Sequence, residues 1–412
     1  MVNKKDGYFD EKRAWSLTKD SILSCYLTPY FTKVLGASRD GLVYVDGFAG
    51  PGKFEDGTDG SPVIAINKLR EACRLKRGYK PYVQMIFGEL LAGQRTALEA
   101  NVRIAAGSSG YLKNDRIMVV SSFREAMQQA ASVCLKKDSI PSSFFYYVDP
   151  YGIKDLDLSV LGSSPNLAHT EVLLNFCSVG FLRDACAALR VSRKAPENAI
   201  DYSEAMPVEM VESARTARLD AAIGSGGWRD IIQEYDNGLP YWEAERRISS
   251  LFCSNARRYF QFVTNMPIKD MRSGDANRGL LKYRLIHMTN NADGCVLMND
   301  NMVKRNDELQ ITQQPLFLVD IDGQSVDPSV VKESMQKAIE SFAVGKKVSM
   351  WQLAAPVISE CGVFMKSTNL LKTYLGPFLD SGEIERVEKL TKTGRKASAF
   401  SNGSKIKVFR TS

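Results

Sequence analysis

Histidine is scarce in this 412-residue sequence: His169 and His287 are the only two. A Ser-His-Asp triad, a histidine-rich metal site or a histidine proton shuttle would have to rest on one of them. The eight cysteines are never closer than nine residues apart and form no C-x-x-C. Zinc knuckles and thioredoxin-like redox chemistry therefore have no local signature, and most of these cysteines, set in apolar or amphipathic surroundings, read as small core residues. Long hydrophobic runs are also missing. The most apolar stretch, Val172 to Leu182, has eleven residues and is too short to cross a bilayer. Met1 to Lys12 is polar and charged, without the apolar core of a signal peptide. These absences lead us to expect a reduced, cytoplasmic protein with no metal site and no membrane partner.

What is present is ordinary in bulk and uneven in detail. An apolar fraction of 44% and a charged fraction of 25% belong to a soluble globular chain. The length suggests two to three domains of roughly 150 residues. Lys and Arg number 54 against 47 Asp and Glu, a net charge of +7. Residues 328–412 carry 14 basic and 7 acidic side chains, leaving 40 of each sign before them. An excess confined to one end suggests that this end meets a polyanion.

Apolar residues from Ala14 through Ile22, Leu23, Tyr26, Tyr30 and Phe31 to Val34 recur at three- and four-residue steps, the pattern of one long amphipathic helix. Strands then alternate with helices: Leu42 to Asp46, Tyr82 to Phe87, Arg116 to Ser121, Phe144 to Val148 and Glu171 to Phe176 are the strands. The alternation predicts an α/β fold with a parallel sheet covered on both faces. Residues 191–266 turn helical and charged, with a long helix over Tyr241 to Val263, and read as an insertion in the same domain; Leu280 to Met288 resumes the sheet. The polar segment Asp322 to Pro328 places a domain boundary between residues 1–326 and 327–412. In the second part, helices near Ser329 to Phe342, Met350 to Ile358 and Ser367 to Leu379 precede strands Glu383 to Val387 and Lys405 to Phe409. Three helices and a ribbon in that order predict a winged helix-turn-helix.

The first strand opens into Asp46-Gly-Phe-Ala-Gly-Pro-Gly52. In open α/β sheets ligands bind beyond the carboxyl ends of strands, and glycine lets backbone approach them. The spacing is not that of a dinucleotide fingerprint, and the next strand-terminal acid, Glu89, lies 43 residues on. An acid-led turn with a second acid ending strand two suits S-adenosylmethionine, a cationic, phosphate-free cofactor. Asp46, Gly47, Phe48, Ala49, Gly50, Gly52 and Glu89 are the candidate cofactor residues. The plainer alternative is a tight strand-to-helix turn and a solvated Glu89.

The fourth strand delivers Asp149-Pro-Tyr-Gly152 to the same edge. Methylating an exocyclic base amine requires freeing a nitrogen lone pair that is delocalised into the ring. A carboxylate and a proline carbonyl can each accept an N–H and orient that lone pair, while an adjacent aromatic stacks on an extruded base. Asp149, Pro150 and Tyr151 supply these parts and are the candidate catalytic residues. The alternative is a turn made of turn-forming residues.

Lys19 to Tyr26, Tyr44-Val-Asp-Gly-Phe-Ala-Gly-Pro-Gly52 with Gly60-Ser-Pro62, Tyr147-Val-Asp-Pro-Tyr-Gly152, Leu173-Leu-Asn-Phe176 with Arg183, and Tyr283 to Met298 together resemble the three-Cys-motif partner protein family. The resemblance covers most of residues 12–305. It implies a Rossmann-like S-adenosylmethionine methyltransferase fold with a helical insertion, often followed by a winged helix. It also implies a separate protein partner with three cysteines that resembles radical S-adenosylmethionine enzymes. The sequence departs from the D-P-P-Y or N-P-P-Y of nucleic-acid amino-methyltransferases by having tyrosine third and glycine fourth. That keeps the carboxylate and carbonyl and alters where an aromatic would stack. Asn175 and Arg183 either line an acceptor pocket or cap and solvate the following helix.

At the basic end, Ser367 to Leu379 is the candidate recognition helix, presenting Lys366, Asn369 and Lys372. The wing would carry Lys389, Lys392, Arg395 and Lys396, all within a stretch without an acid. The alternative is a solvated ribbon or a surface for protein contacts. The function expected from all this is S-adenosylmethionine-dependent methylation of a nucleic-acid base at an exocyclic nitrogen. A non-catalytic scaffold that binds nucleic acid or the partner protein, and a small-molecule methyltransferase, are the competing readings.

Overall fold

The computed structural model describes residues 14–37, 41–75, 82–107, 112–135, 143–150, 152–153, 155–193, 212–270, 280–309, 326–387 and 404–408. Helix α1 (Ala14–Ala37) buries Ile22, Leu23, Tyr26, Leu27, Tyr30 and Phe31, the stripe its periodicity predicts. Strands β1 (Leu42–Asp46), β2 (Val83–Gly88), β3 (Ile117–Val120), β4 (Ser143–Val148) and β5 (Thr170–Phe176) alternate with helices α2 (Ser61–Leu75), α3 (Ala92–Ala106), α4 (Phe123–Leu135) and α5 (Leu158–Leu161). Every residue of β1, β2, β4 and β5 is buried. Continuous apolar runs are what strands covered on both faces require.

With β6 (Phe262–Asp270) and β7 (Leu280–Thr289), the strands form one seven-stranded sheet in the order β3-β2-β1-β4-β5-β7-β6. β1 pairs in parallel with both β2 and β4, so Asp46 stands opposite Phe87 on one side and Tyr147 on the other. The chain builds outward from β1 to β3 and then returns to β4. The β1/β4 neighbourhood is therefore the switch point of a doubly wound sheet, where a crevice opens beyond the strand ends. Beneath it Tyr44 stacks on Phe145 at 5.7 Å, and Tyr30 of α1 lies 5.0 Å from Phe145.

After β5 come α6 (Ser178–Leu189), α7 (Glu212–Ile223), α8 (Trp228–Asp236) and α9 (Tyr241–Ala256). α7, α8 and α9 all pack on α6. Asp220 holds the insertion together by accepting from Trp228 Nε1 at 2.8 Å and from both terminal nitrogens of Arg229. Arg284 of β7 grips Glu245 of α9 with two bonds of 2.8 and 2.6 Å, a buried pair.

One expectation is corrected here. The helix predicted to reach Val263 ends at Ala256, and β6 begins at Phe262. The apolar residues of 260–263 continue the helical spacing by coincidence, which hides the change of element. β6 is also the last strand in the sheet order, the position in which Pro267 costs least. The chain divides into two compact units, Met1–Gln261 with Pro267–Met288, and Phe262–Met266 with Thr289–Ser412. The reason is α10 (Ala292–Leu309), which packs on α12 (Met350–Cys361) and puts Cys295 and Val296 into one core with Val331, Met335 and Leu353.

The second unit continues with α11 (Pro328–Glu340), α12, α13 (Ser367–Leu370), a π-helical segment Leu371–Leu375 and α14 (Gly376–Asp380). The last three form one helical run with a π-turn in its middle. Strands β9 (Ile384–Val387) and β10 (Lys405–Val408) pair antiparallel, as the ribbon predicts. A further strand, β8 (Lys347–Ser349), pairs on the other edge of β10. Three residues show no readable periodicity, so sequence alone does not reveal it. Ser349 then starts α12 with a reciprocal capping box to Gln352.

Candidate functional site

The acid-led turn begins where β1 ends. Asp46 is fully buried; its carboxylate accepts from Ser61 Oγ at 2.6 Å and from the Phe48 N–H at 3.3 Å. Burial pushes this carboxyl up to about 7, the two hydrogen bonds oppose the shift, and the charges of Asp149 and Asp20 add to it. The turn is held by backbone bonds from Gly47 N to the Tyr147 carbonyl, Ala49 N to the Gly88 carbonyl and Gly60 N to the Gly52 carbonyl, all 2.8 to 3.0 Å. Gly50 and Gly52 have φ of +59° and +80°, a conformation that favours glycine. Gly47 is required for a different reason: a Cβ there would stand 2.4 Å from the Phe123 ring. For that glycine, packing inside the fold is sufficient explanation. Phe48 stacks on the same ring at 5.3 Å.

At the end of β2, Glu89 is buried and accepts from the Leu91 N–H at 2.7 Å. Burial raises its carboxyl, and backbone N–H groups of Leu91, Gly50 and Leu90 and the charge of Arg95 oppose this. Leu90 and Leu91 beside it are exposed, an apolar margin next to a buried acid.

β4 ends in Asp149 and Pro150; Tyr151 lies outside the described residues. Asp149 is 24% exposed and is held from two sides. Lys19 of α1 bonds its Oδ2 at 2.7 Å, and Asn175 Nδ2, from the end of β5, bonds its Oδ1 at 2.6 Å. Lys19 is itself buried and lies 5.1 Å from the centre of the Tyr283 ring. Asn175 is thus a support for Asp149, and among the described residues its Oδ1 is buried without a partner.

Sequence reading brings Asp46, Glu89 and Asp149 to the same edge of adjacent strands, and the structure does so too. It does not anticipate Lys19 or Ser61 as their partners. A signal for Lys19 exists: it falls four residues after Trp15 and four before Leu23, a charge on the apolar stripe of α1. His287 belongs to the core, with Nε2 3.1 Å from Glu171, which Tyr26 also contacts. Among the described residues no three His, Cys, Asp or Glu side chains are grouped to hold a metal, and no helix is long and apolar enough to cross a membrane.

In the second unit Lys366, Asn369 and Lys372 are exposed. The N-terminus of their helical run is occupied from inside: Asp300 of α10 accepts from Ser367 N at 2.7 Å and from Ser367 Oγ at 2.6 Å. Lys389, Lys392, Arg395 and Lys396 lie outside the described residues.

No protein-family model and no curated protein matches the sequence. Solved structures that superpose on part of the chain include a geranyl diphosphate methyltransferase in complex with GPP and sinefungin, 14% identical over 64% of this chain and 77% of that one, TM-score 0.23. Another is the geranyl diphosphate C-methyltransferase of Streptomyces coelicolor A3(2) with Mg2+, geranyl-S-thiolodiphosphate and S-adenosyl-L-homocysteine, 13% identical, covering 64% and 75%, TM-score 0.23. A third is a cyclopropane-fatty-acyl-phospholipid synthase-like protein from Lactobacillus casei ATCC 334, 10% identical, covering 67% and 93%, TM-score 0.23. Superpositions this loose carry no weight for cofactor, chemistry or substrate.

Proposed function

We propose that this protein is an S-adenosylmethionine-dependent methyltransferase that acts on an exocyclic nitrogen of a nucleic-acid base. The observation that carries the proposal is the set of acids at the ends of three neighbouring strands at the switch point: Asp46, Glu89 and Asp149. The residues fit the cofactor. A buried carboxylate with few hydrogen bonds, Asp46, is a partner for an ammonium group. Glu89, a carboxylate with about four acceptor sites, keeps capacity for a ribose hydroxyl beyond the N–H groups of Leu91, Gly50 and Leu90, and Gly50 and Gly52 let the backbone approach closely. When bound, the cofactor supplies an electrophilic methyl group on a sulfonium.

Asp149 accepts one N–H of the acceptor amine and the Pro150 carbonyl the other, and Asp149 takes up the proton the amine must lose. Lys19 and Asn175 occupy one lone pair on each oxygen of Asp149 and fix its plane, and Tyr147 Oη donates to Oδ2 at 3.5 Å, so Oδ1 is the oxygen with a further acceptor site. The helices, the three-stranded sheet and the exposed Lys366, Asn369 and Lys372 support a winged helix-turn-helix that positions the polymer. From the resemblance alone, the proposal extends to a three-Cys-motif, radical S-adenosylmethionine-like partner protein.

One observation favours the non-catalytic scaffold: Asp149 is already bonded on both oxygens. The two readings separate on Asp149→Ala, assayed with labelled S-adenosylmethionine and pooled cellular RNA and DNA. Methyl incorporation by the wild type that vanishes in the variant, with oligonucleotide binding retained, supports the enzyme. No incorporation by a wild type that binds both ligands overturns it.

A further inference from the structure

α6 begins directly after β5, and its first residues, Ser178, Val179 and Gly180, are buried. Cys177 occupies the cap position, and its side chain accepts no capping bond from the first turn. A helix start carries N–H groups without intrahelical acceptors and a partial positive charge. An independent observation concerns side chains. Among the described residues, Ser178 Oγ, Arg183 Nη2 and Tyr241 Oη are buried and have no hydrogen-bond partner. Each has a hydrogen to donate.

Their placement points to one ligand. Ser178 is completely buried in the first turn. Arg183 leans back toward the helix start, as helical side chains do, and its Nη2 lies 3.9 Å from where a Cβ on Gly180 would stand. A guanidinium at the positive end of a helix is unfavourably placed unless an anion joins it. Asp184 offsets part of that charge through Arg183 Nε at 3.3 Å and leaves Nη2 free. α9, which starts at Tyr241, packs on α6, and Cys177 is one of the groups that, after burial and Glu245, raise the Tyr241 phenol.

We infer that the start of α6 binds a phosphate group of the substrate, held by the first-turn N–H groups, Ser178 Oγ and the Arg183 guanidinium. This rests on the methyltransferase reading and names a contact that its substrate makes. Asn175, bonded to Asp149, lies two residues before the Cys177 cap, so the phosphate belongs to the nucleotide whose base meets Asp149 or to its neighbour. A phosphate contact at this point fixes the register of the polymer and reads no base.

The test uses the full chain and inorganic phosphate, with chloride at matched ionic strength as control. Phosphate raises the unfolding temperature of the wild type; Arg183→Gln abolishes the rise and Ser178→Ala at least halves it. No rise in the wild type, or equal rises in all three proteins, overturns the site. Should Arg183→Gln fail to fold, an unchanged response of Ser178→Ala overturns it alone. Calorimetry with S-adenosylmethionine separates the two readings. Heat in the wild type without a phosphate response sinks this site only, whereas a phosphate response without that heat sinks the cofactor reading only. For the source of the phosphate, Arg183→Gln weakens binding of a short oligonucleotide about tenfold and flattens its salt dependence by about one unit. A nucleoside monophosphate that competes as well as the oligonucleotide overturns the assignment to a polymer.

Discussion

Asp46 keeps a proton that an ordinary aspartate would have lost. Its carboxyl, buried and pushed up to about 7, has an unfolded value of roughly 3.9. Between those values the folded chain holds a proton that unfolding releases. The stabilisation is complete below the lower value and is lost as pH rises through about 7. Asp46→Asn removes this dependence, so urea unfolding across that window should show the variant gaining on the wild type as pH rises. Ligand binding has the opposite sign. An ammonium needs the carboxylate ionised, so S-adenosylmethionine affinity of the wild type should rise with pH through about 7, with release of a proton from Asp46. Calorimetry in two buffers of different ionisation enthalpy measures that proton, and Asp46→Asn should lack it. At Asp149 the pairing with Lys19 gives a second expectation. Lys19→Met should cost about 2 kcal/mol, less than the ~3–5 of a fully buried pair because Asp149 is partly exposed, and should lower kcat more than KM shifts. The acids were legible as strand-ending residues. Lys19 and Asn175 were not legible as their partners, because the contacts join residues 130 and 26 positions apart in the chain.

At the scale of elements, the first turn shows how little of a glycine motif need concern a ligand. Gly47→Ala drives a methyl into the Phe123 ring and Gly88→Ala places one 2.8 Å from the Gly47 carbonyl. Either change should cost roughly 1–3 kcal/mol, read as a lower unfolding temperature. The helical run 367–380 depends on a cap supplied by α10. Asp300→Ala removes the acceptor of Ser367 N and Oγ and should cost about 1 kcal/mol, with faster amide hydrogen exchange confined to that first turn. β1 coincides with its predicted bounds, Leu42 to Asp46, and β2, β4 and β5 fall within a residue of theirs, since a run buried on both faces announces itself. β6 and β8 were missed for opposite reasons. β6 continues the spacing of the preceding helix, and β8 is three residues long.

For the whole molecule, the division into units changes what a truncation can test. Removing residues 328–412 would take away the whole charge excess. α10 shares its core with α11 and α12, so this cut would expose Cys295 and Val296 and should give an aggregating product, detectable by size-exclusion chromatography. Lys366→Gln with Lys372→Gln is the cleaner probe. It should flatten the salt dependence of oligonucleotide binding by up to about two units without changing S-adenosylmethionine heat. By itself the sequence determined strands β1 to β5 and β7 of the large sheet, the acids at the ends of β1, β2 and β4 and the charge asymmetry, because burial on two faces and strand termination are local patterns. The tertiary structure alone decided which partners those acids have, where the units divide and which donors gather at the start of α6. Each of these depends on side chains brought together by the strand order, and hydrophobic periodicity contains no record of that order.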